Sequence, residues 1–152
     1  MNPETLFSLC GALVLPGWLL LVVAPRWRWS ARLVCGAVIP LLLAVVYLAL
    51  IVAHFNDAGG GGFGSLAEVA QLFHNPYNLL AGWIHYLAFD LFIGSWEVRD
   101  ARASGVPHLL VVPCLLLTFL FGPIGLLLYF ALRWGWRRKF FLGDESGVTE
   151  RA

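Results

Sequence analysis

The sequence predicts an all-α integral membrane protein, a four-helix bundle with a short interfacial helix between its second and third spans. Three observations predict this class. Hydrophobic residues make up 60% of the 152 residues and charged residues only 12%, whereas soluble domains are about 45–50% apolar and about 25% charged. The mean hydropathy is +0.79. Apolar runs near the length of about 20 residues that crosses a bilayer recur along the chain.

A single membrane domain is predicted over residues 1–142. Its four spans cover residues 5–24, 33–53, 77–96 and 107–132. The first run is longer than the hydrophobic region of a signal peptide and no basic segment precedes it, so we expect a retained helix. Residues 143–152 are short and polar, which predicts a disordered tail.

The fourth predicted span is too long for one straight crossing of the bilayer. It contains Pro113 and then the pair Gly122-Pro123, so it is expected to tilt, kink or break. A proline kink in a continuous helix is the interpretation that we favour. A broken helix would instead place free backbone groups beside the polar residues of the third span.

The segment between spans two and three contains a linker and a short helix. The glycine run from Gly59 to Gly62 predicts a flexible linker, and no GK[ST] sequence follows it as in a phosphate-binding loop. Ser65 with Glu68 three residues later fits a capping box. Because the apolar residues that follow share one face, we expect an interfacial helix over Ser65–Phe73.

The charges and cysteines add little information about function. A net charge of +1 gives no argument for nucleic-acid binding, so the expected partner is the lipid bilayer. In a four-span topology the basic residues divide almost evenly between the two sides, and the positive-inside rule gives no orientation. The three cysteines, which are odd in number and lack a CxxC spacing, are expected to pack between helices.

The most informative feature is a set of ionisable groups within the third span. A carboxylate at the centre of a membrane helix costs about 2.5–3.5 kcal/mol, so an intramembrane Asp marks a functional site by default. At about 100° per residue, Asp90 and Glu97 share one helix face, with Gly94 between them. His85 lies about 140° from Asp90. It therefore needs a partner on another helix, or a ligand that reaches both faces.

The residues leave three interpretations of this cluster open. In the first, His85 and Asp90 form structural hydrogen bonds between helices, worth about 0.6–2 kcal/mol. In the second, they are the acid and base of a reaction. In the third they bind a metal together with other ligands, although no HxxxH or ExxH spacing supports a metal site. The residues of that metal hypothesis are His54, His74, His85, Asp90 and Glu97.

Polar residues also mark the two ends of the third span. Asn75 is predicted to cap the helix, with Pro76 in its first turn. Asn78 either belongs to the same helix start or contacts a ligand headgroup. At the other end, the acidic and basic residues that follow Trp96 predict a solvated charge cluster at the membrane surface. That cluster consists of Glu97, Arg99 and Asp100.

Two stretches of the chain carry a family pattern. The first contains Asn75-Pro76-Tyr77-Asn78, the run from Trp83 to Trp96, and Arg99-Asp100-Ala101; the second contains Pro113 to Phe119 and Phe121 to Tyr129. Together they resemble the abscisic-acid-deficient-four-like family of small four-span membrane proteins. Plant members of the family are chloroplast proteins required for the conversion of violaxanthin to neoxanthin. We expect no plastid transit peptide in this chain, and its compact form resembles a bacterial member, so the expected location is a bacterial inner membrane.

The resemblance implies an acid–base isomerisation of a carotenoid epoxide or related isoprenoid. A 5,6-epoxide opens to a hydroxyl, a proton leaves C7 and an allene forms, with no electrons consumed and no metal or cofactor required. Asp90 is the implied proton donor and His85 the base, in either order. Five residues are implied to contact the substrate: Asn78, Trp83, Phe89, Gly94 and Glu97.

Two other classes of function remain open at this point. The first is a non-catalytic membrane protein that binds a lipid or pigment, or that assembles with itself or with a partner enzyme. The second is a metal-dependent membrane hydrolase.

Overall fold

A computed structural model describes residues 2–27 and 29–137, and this part of the chain is helical and contains no strand. The six α-helices are α1 (Pro3–Val23), α2 (Ile39–His54), α3 (Leu66–Leu72), α4 (Pro76–Ser104), α5 (His108–Phe121) and α6 (Pro123–Arg137). A π-helical segment, Ser30–Val38, leads directly into α2, and a 3-10 turn, Phe55–Ala58, follows it. The predicted disordered tail, residues 143–152, lies outside the described residues.

Three helical stretches are long and apolar enough to cross a membrane, and they overlap the first three predicted spans. They are Pro3–Val23, Ser30–Asp57 and Pro76–Ser104. Large apolar side chains lie on their outer surfaces; Leu19 is 64% exposed and Val52 is 77% exposed. Such surfaces suit contact with lipid, where exposing an apolar side chain costs nothing.

Helix α4 lies at the centre of the assembly and is longer than predicted. It contacts α1, α2, the π-helical segment, α5 and α6. Its 29 residues correspond to a length of about 43 Å. The helix ends at Gly105, which adopts a φ of 68° and donates its N–H to carbonyls of the last turn. The charged residues that follow Trp96 are therefore part of α4.

The predicted helix starts are confirmed by their capping contacts. The Asn75 side chain accepts a hydrogen bond from the Tyr77 N–H at 2.8 Å, which begins α4. The Ser65 hydroxyl accepts one from the Glu68 N–H at 3.2 Å, which begins α3. The Glu68 carboxylate accepts from the Gly64 N–H at 3.0 Å, where a standard capping box would use the Ser65 N–H.

The fourth apolar segment is two short helices, so the favoured proline kink within one continuous helix is wrong. Helix α5 has 14 residues and α6 has 15, or about 21 Å and 22 Å, against a hydrocarbon core of about 30 Å. Gly122 separates them with φ 48° and ψ −93°. Its N–H closes the last turn of α5 by binding the Thr118 carbonyl at 2.9 Å, and its own carbonyl accepts from the Gly125 N–H at 3.1 Å.

The chain reverses direction at Gly122. A Cβ atom on Gly125 would overlap the backbone nitrogen of Thr118, although these residues would be about 10.5 Å apart along one continuous helix. Side chains of α6 also reach the last turns of α4. The carboxylate of Asp100 accepts hydrogen bonds from the Tyr129 hydroxyl and the Arg133 Nε, both at 2.6 Å. Helices α5 and α6 thus form an antiparallel pair, which we call the hairpin.

The reversal places the start of α5 and the end of α6 at the same end of the molecule as the ends of α1 and α4. His108, at the start of α5, contacts the carbonyl of Val22 near the end of α1 at 2.9 Å, and the end of α6 contacts α4 through Arg133. We call this the basal end, and the end that holds Pro3 and Pro76 the apical end. The described arginines lie at the basal end: Arg26, Arg32, Arg99, Arg102 and Arg133.

Candidate functional site

The carboxylate of Asp90 lies against the tip of the hairpin. A Cβ atom on Gly122 would lie only 2.9 Å from the Asp90 Oδ1, so the close approach depends on a glycine at the turn. The side chain is half-buried, and Oδ2 is buried with no hydrogen-bond partner among the described residues. A buried acceptor without a partner costs free energy, so it needs an explanation other than packing.

Tyr86 lies one helical turn before Asp90, on the same face of α4. Its hydroxyl donates to the Phe119 carbonyl at 3.1 Å, in the last turn of α5, and it also approaches the Asp90 carboxylate. This hydrogen bond joins α4 to the hairpin tip. Tyr86 was not among the residues predicted from the sequence, although its spacing of four residues from Asp90 could have indicated it.

A second carboxylate, that of Glu97, lies deeper in the protein. Its side chain is fully buried, with a relative exposure of 0%. The Thr118 hydroxyl of α5 donates to Oε1 at 2.9 Å, and Oε2 has no partner within the described part of the chain. Asp90 and Glu97 therefore both face the hairpin, as their shared helix face predicts. Thr118 is a second functional contact that the sequence analysis missed.

The predicted solvated charge cluster after Trp96 is wrong, because each of its members has a separate environment. Glu97 is buried against α5, and Asp100 is held by α6. Arg99 donates from Nη1 to the Ala31 carbonyl of the π-helical segment at 2.8 Å and to the Ser95 hydroxyl at 3.0 Å. Successive residues of one helix point to different neighbours, and apart from Ser95 these neighbours come from elements distant in sequence.

An apolar groove runs between α1 and α4 above the hairpin tip. Two adjoining cavities, of about 370 Å³ and 260 Å³, share Phe7 and Trp83 in their walls. The first cavity begins at Pro3 and Glu4 at the apical end. The second reaches Tyr86 and the last turn of α5, where Phe119 and Leu120 line it. The groove exists because the hairpin fills only the basal part of the space beside α1 and α4.

Aromatic rings line the groove one after another, starting from its apical end. The rings of Phe7 and Trp83 are 5.6 Å apart, and those of Trp83 and Tyr86 are 5.2 Å apart, measured between centroids. Since Tyr86 lies one turn from Asp90, this aromatic wall leads from the apical end to the Asp90 carboxylate. Trp83, which is 43% exposed, is the predicted substrate-contacting residue that lies in the groove.

The structure does not bring His85 and Asp90 together. His85 is exposed, and its ring stacks on Phe89 with centroids 4.5 Å apart and lies 5.9 Å from the ring of Tyr47 in α2. Asp90 faces the hairpin on another side of α4. The predicted acid–base pair therefore lacks a shared site, and Phe89, which is 59% exposed, belongs to the His85 surface and not to the groove.

The other two predicted contact residues have packing partners. Asn78 is buried near the apical end and its amide donates to the His54 carbonyl at 3.3 Å, which joins α4 to α2. Gly94 lies beneath Trp18, since an added Cβ would be 2.7 Å from the indole Cζ3 atom. Gly94 thus allows α1 and α4 to approach closely, and neither residue touches the groove.

The residues of the metal hypothesis lie in separate places. His54 pairs with Asp57 at 3.1 Å and stacks on Tyr77, whereas His74 contacts the Ala70 carbonyl at 2.8 Å. Within the described residues no group of three His, Cys, Asp or Glu side chains is placed to hold a metal ion.

Fold and site together define a class of all-helical protein. Of the three helices of membrane length, α1 and α4 pack against a reversed helical hairpin whose tip lies against the Asp90 carboxylate, below an aromatic groove. Residues 5–129 match the family described as ABA DEFICIENT 4-like. The chain belongs to this family.

One curated relative supports the assignment. The protein named ABA DEFICIENT 4, chloroplastic, from Arabidopsis thaliana is 24% identical over 137 residues. The match covers 86% of this chain and 61% of the relative, so the chain spans less than two thirds of that protein's length. No solved structure matches the chain.

Proposed function

We propose that this protein binds a long, lipophilic isoprenoid of the carotenoid class in the α1–α4 groove and that Asp90 acts on one end of it. The observation that carries the proposal is the unpartnered Oδ2 of Asp90, one helical turn beyond Tyr86, which lines the groove. Flat polyenes match the aromatic walls formed by Phe7, Trp83 and Tyr86. Membership of the ABA DEFICIENT 4-like family supports a carotenoid-related ligand.

The proposed reaction is the epoxide isomerisation implied by the family. Protonated Asp90 donates its proton to the epoxide oxygen as the C6–O bond breaks, and that oxygen remains on C5 as a hydroxyl. The resulting carboxylate accepts the proton from C7, and the electrons of the C7–H bond form the second double bond of the allene. The carboxylic acid is regenerated, so the reaction needs no separate base and assigns no role to His85.

Two features of the site would support this chemistry. Tyr86, held by the Phe119 carbonyl, limits the positions available to the Asp90 carboxyl group and to a ring beside it. The hairpin tip excludes water from the basal side, which strengthens the electrostatic contribution of each remaining polar contact. Trp83 is proposed to stack on the polyene. Gly94 packs against Trp18, Asn78 and Glu97 hydrogen-bond to neighbouring helices, and none of the three is assigned a contact with the ligand.

The experiment is pigment analysis in a bacterium engineered to make violaxanthin. The wild type should convert violaxanthin to neoxanthin, Asp90→Asn should not, and Trp83→Ala should convert it more slowly. His85→Ala is the matched control, because it removes an ionisable side chain five residues away on an exposed face and should retain activity. Conversion by Asp90→Asn at normal membrane levels would contradict the proposed acid.

A second candidate function uses the groove without catalysis. The groove is lined by apolar and aromatic side chains, so it can hold a lipid or pigment, or a segment of a partner enzyme, without any reaction at Asp90. Pigment that co-purifies with both the wild type and Asp90→Asn, with no conversion by either, would favour this function. Trp83→Ala should then reduce the amount of bound pigment.

The membrane topology is part of the proposal. We infer three crossings, by α1, by the π-helical segment with α2, and by α4, and a hairpin that enters from the basal side and returns to it. Helix α3 lies at the apical surface, where its Leu66 is 86% exposed. The basal end carries the arginines, so the positive-inside rule places it on the side from which the chain inserts. For a bacterial protein this side is the cytoplasmic face of the inner membrane.

A further inference from the structure

A second cavity, separate from the groove, lies at the basal end. Its volume is about 670 Å³, and it lies between the end of α1 and the turn that joins α4 to α5. Arg26 and Arg102 both line it. No Asp or Glu is among its lining residues, and neither guanidinium has a carboxylate partner in the parts of the chain that the structure describes.

Other features of this basal pocket also favour an anion. The first turn of α5 borders it through His108, and a helix N-terminus presents backbone N–H groups and a partial positive charge. His108 is held in place by the Val22 carbonyl at 2.9 Å, which fixes that turn against α1. Two guanidinium groups and a helix start therefore surround one cavity without a compensating negative charge.

The pocket is amphipathic. Val23 and Leu109 on its rim are 70% and 83% exposed, and Val98 forms part of its wall. In a membrane this arrangement places the arginines at headgroup level and the apolar side chains beside the acyl chains. Arginine recognises phosphate through its planar, bidentate set of donors.

We propose that the basal pocket binds a phosphate group through Arg26 and Arg102, and that its apolar rim favours the phosphate of an anionic phospholipid over a soluble phosphate. The pocket is separate from the groove, and its occupancy does not depend on the proposed isomerase activity. A bound headgroup would join the end of α1 to the α4–α5 turn and so stabilise the base of the hairpin.

The test measures lipid binding to the full-length protein in a neutral detergent. Phosphatidylglycerol and phosphatidylcholine with the same acyl chains are titrated, and bound lipid is counted by native mass spectrometry. Arg26→Gln and Arg102→Gln should each weaken phosphatidylglycerol binding by about fivefold, the effect expected of one basic residue near a membrane surface. Binding of phosphatidylcholine should not change.

Arg32→Gln is the matched control, because Arg32 is also an exposed basal arginine but does not line the pocket. It should bind phosphatidylglycerol like the wild type. An equal loss in all three variants would indicate general attraction to the basic surface and would overturn the proposal, as would no loss in either pocket variant. All of these side chains are exposed, so the variants should fold normally.

A further measurement distinguishes a lipid headgroup from soluble phosphate as the ligand. Inorganic phosphate at millimolar concentration is added to the protein with phosphatidylcholine alone, and thermal stability is measured. Stabilisation that depends on Arg26 and Arg102 would show that the pocket takes soluble phosphate. Stabilisation by phosphatidylglycerol and not by inorganic phosphate would identify the lipid headgroup as the ligand.

Discussion

Replacing Gly122 with alanine is expected to destabilise the hairpin, because this residue makes the chain reverse. Its φ of 48° with ψ −93° lies in a region that side chains other than glycine rarely adopt, and such a residue costs about 1–3 kcal/mol. The new Cβ would also lie 2.9 Å from the Asp90 Oδ1. The carboxylate would have to move or the hairpin tip would have to shift, so the backbone cost is a lower bound.

The assay is the unfolding free energy of the purified protein in detergent micelles, obtained by denaturant titration. Gly135→Ala in α6 is the matched control, since a Cβ there meets nothing within 4 Å. Alanine is more stable than glycine within a helix by about 0.5–1 kcal/mol, so the control should be neutral or slightly stabilising. If both substitutions change stability by the same amount and sign, then the reversal at Gly122 is not the feature that the folded state requires.

Three other results are expected from the same structure. Single cysteine substitutions, Gly60→Cys and Gly135→Cys, should react with membrane-impermeant reagents from opposite sides of the membrane. A chain with four crossings would expose both positions on one side. Gly94→Ala should lower stability by about 1–3 kcal/mol, because it overpacks the contact between α4 and the indole ring of α1; unchanged stability would show that this contact adjusts easily. Tyr129→Phe should lower the unfolding free energy by about 1.5–3 kcal/mol, the usual value for a hydrogen bond to a charged group such as the Asp100 carboxylate. The same denaturant titration measures this loss. A loss well below about 1 kcal/mol would indicate that Arg133 alone holds α6.

In the proposed topology the hairpin tip lies at membrane depth, where its backbone is not helical. Irregular backbone within a bilayer is stable only where its polar groups are satisfied inside the protein. At Gly122 the N–H and the carbonyl both have backbone partners, in α5 and α6 respectively. The polar backbone groups of Gly122 are therefore satisfied within the hairpin. The space above the tip remains open and forms the groove.

The reversal also explains the distribution of positive charge. In a four-crossing topology the arginines near the end of α6 oppose those that follow α1, and the two sides almost balance. When α6 returns to the basal end, Arg133 joins Arg26 and Arg102 on one side. The positive-inside rule then gives an orientation that the linear sequence did not.

Much of the fold could be predicted from local features of the sequence. Hydrophobic length predicted three helices long enough to cross a membrane, and polar side chains followed by proline or Glu predicted where α3 and α4 begin. The shared face of Asp90 and Glu97 also follows from helical periodicity alone. These properties depend on residues within a few turns of each other, so the sequence carries them without knowledge of the other helices.

The tertiary structure decided the direction of α6 and the composition of the site. The Gly122-Pro123 pair indicates a break, but whether the chain continues or returns depends on Asp100, which binds residues 29 and 33 positions later. The sequence analysis paired His85 with Asp90 because both are ionisable and near in sequence. In the structure His85 lies on the face of α4 near α2, whereas Asp90 faces the hairpin. Residues from α1, α4 and α5 meet because α5 packs against the other two helices, and α6 meets α4 because the chain returns to the basal end at Gly122.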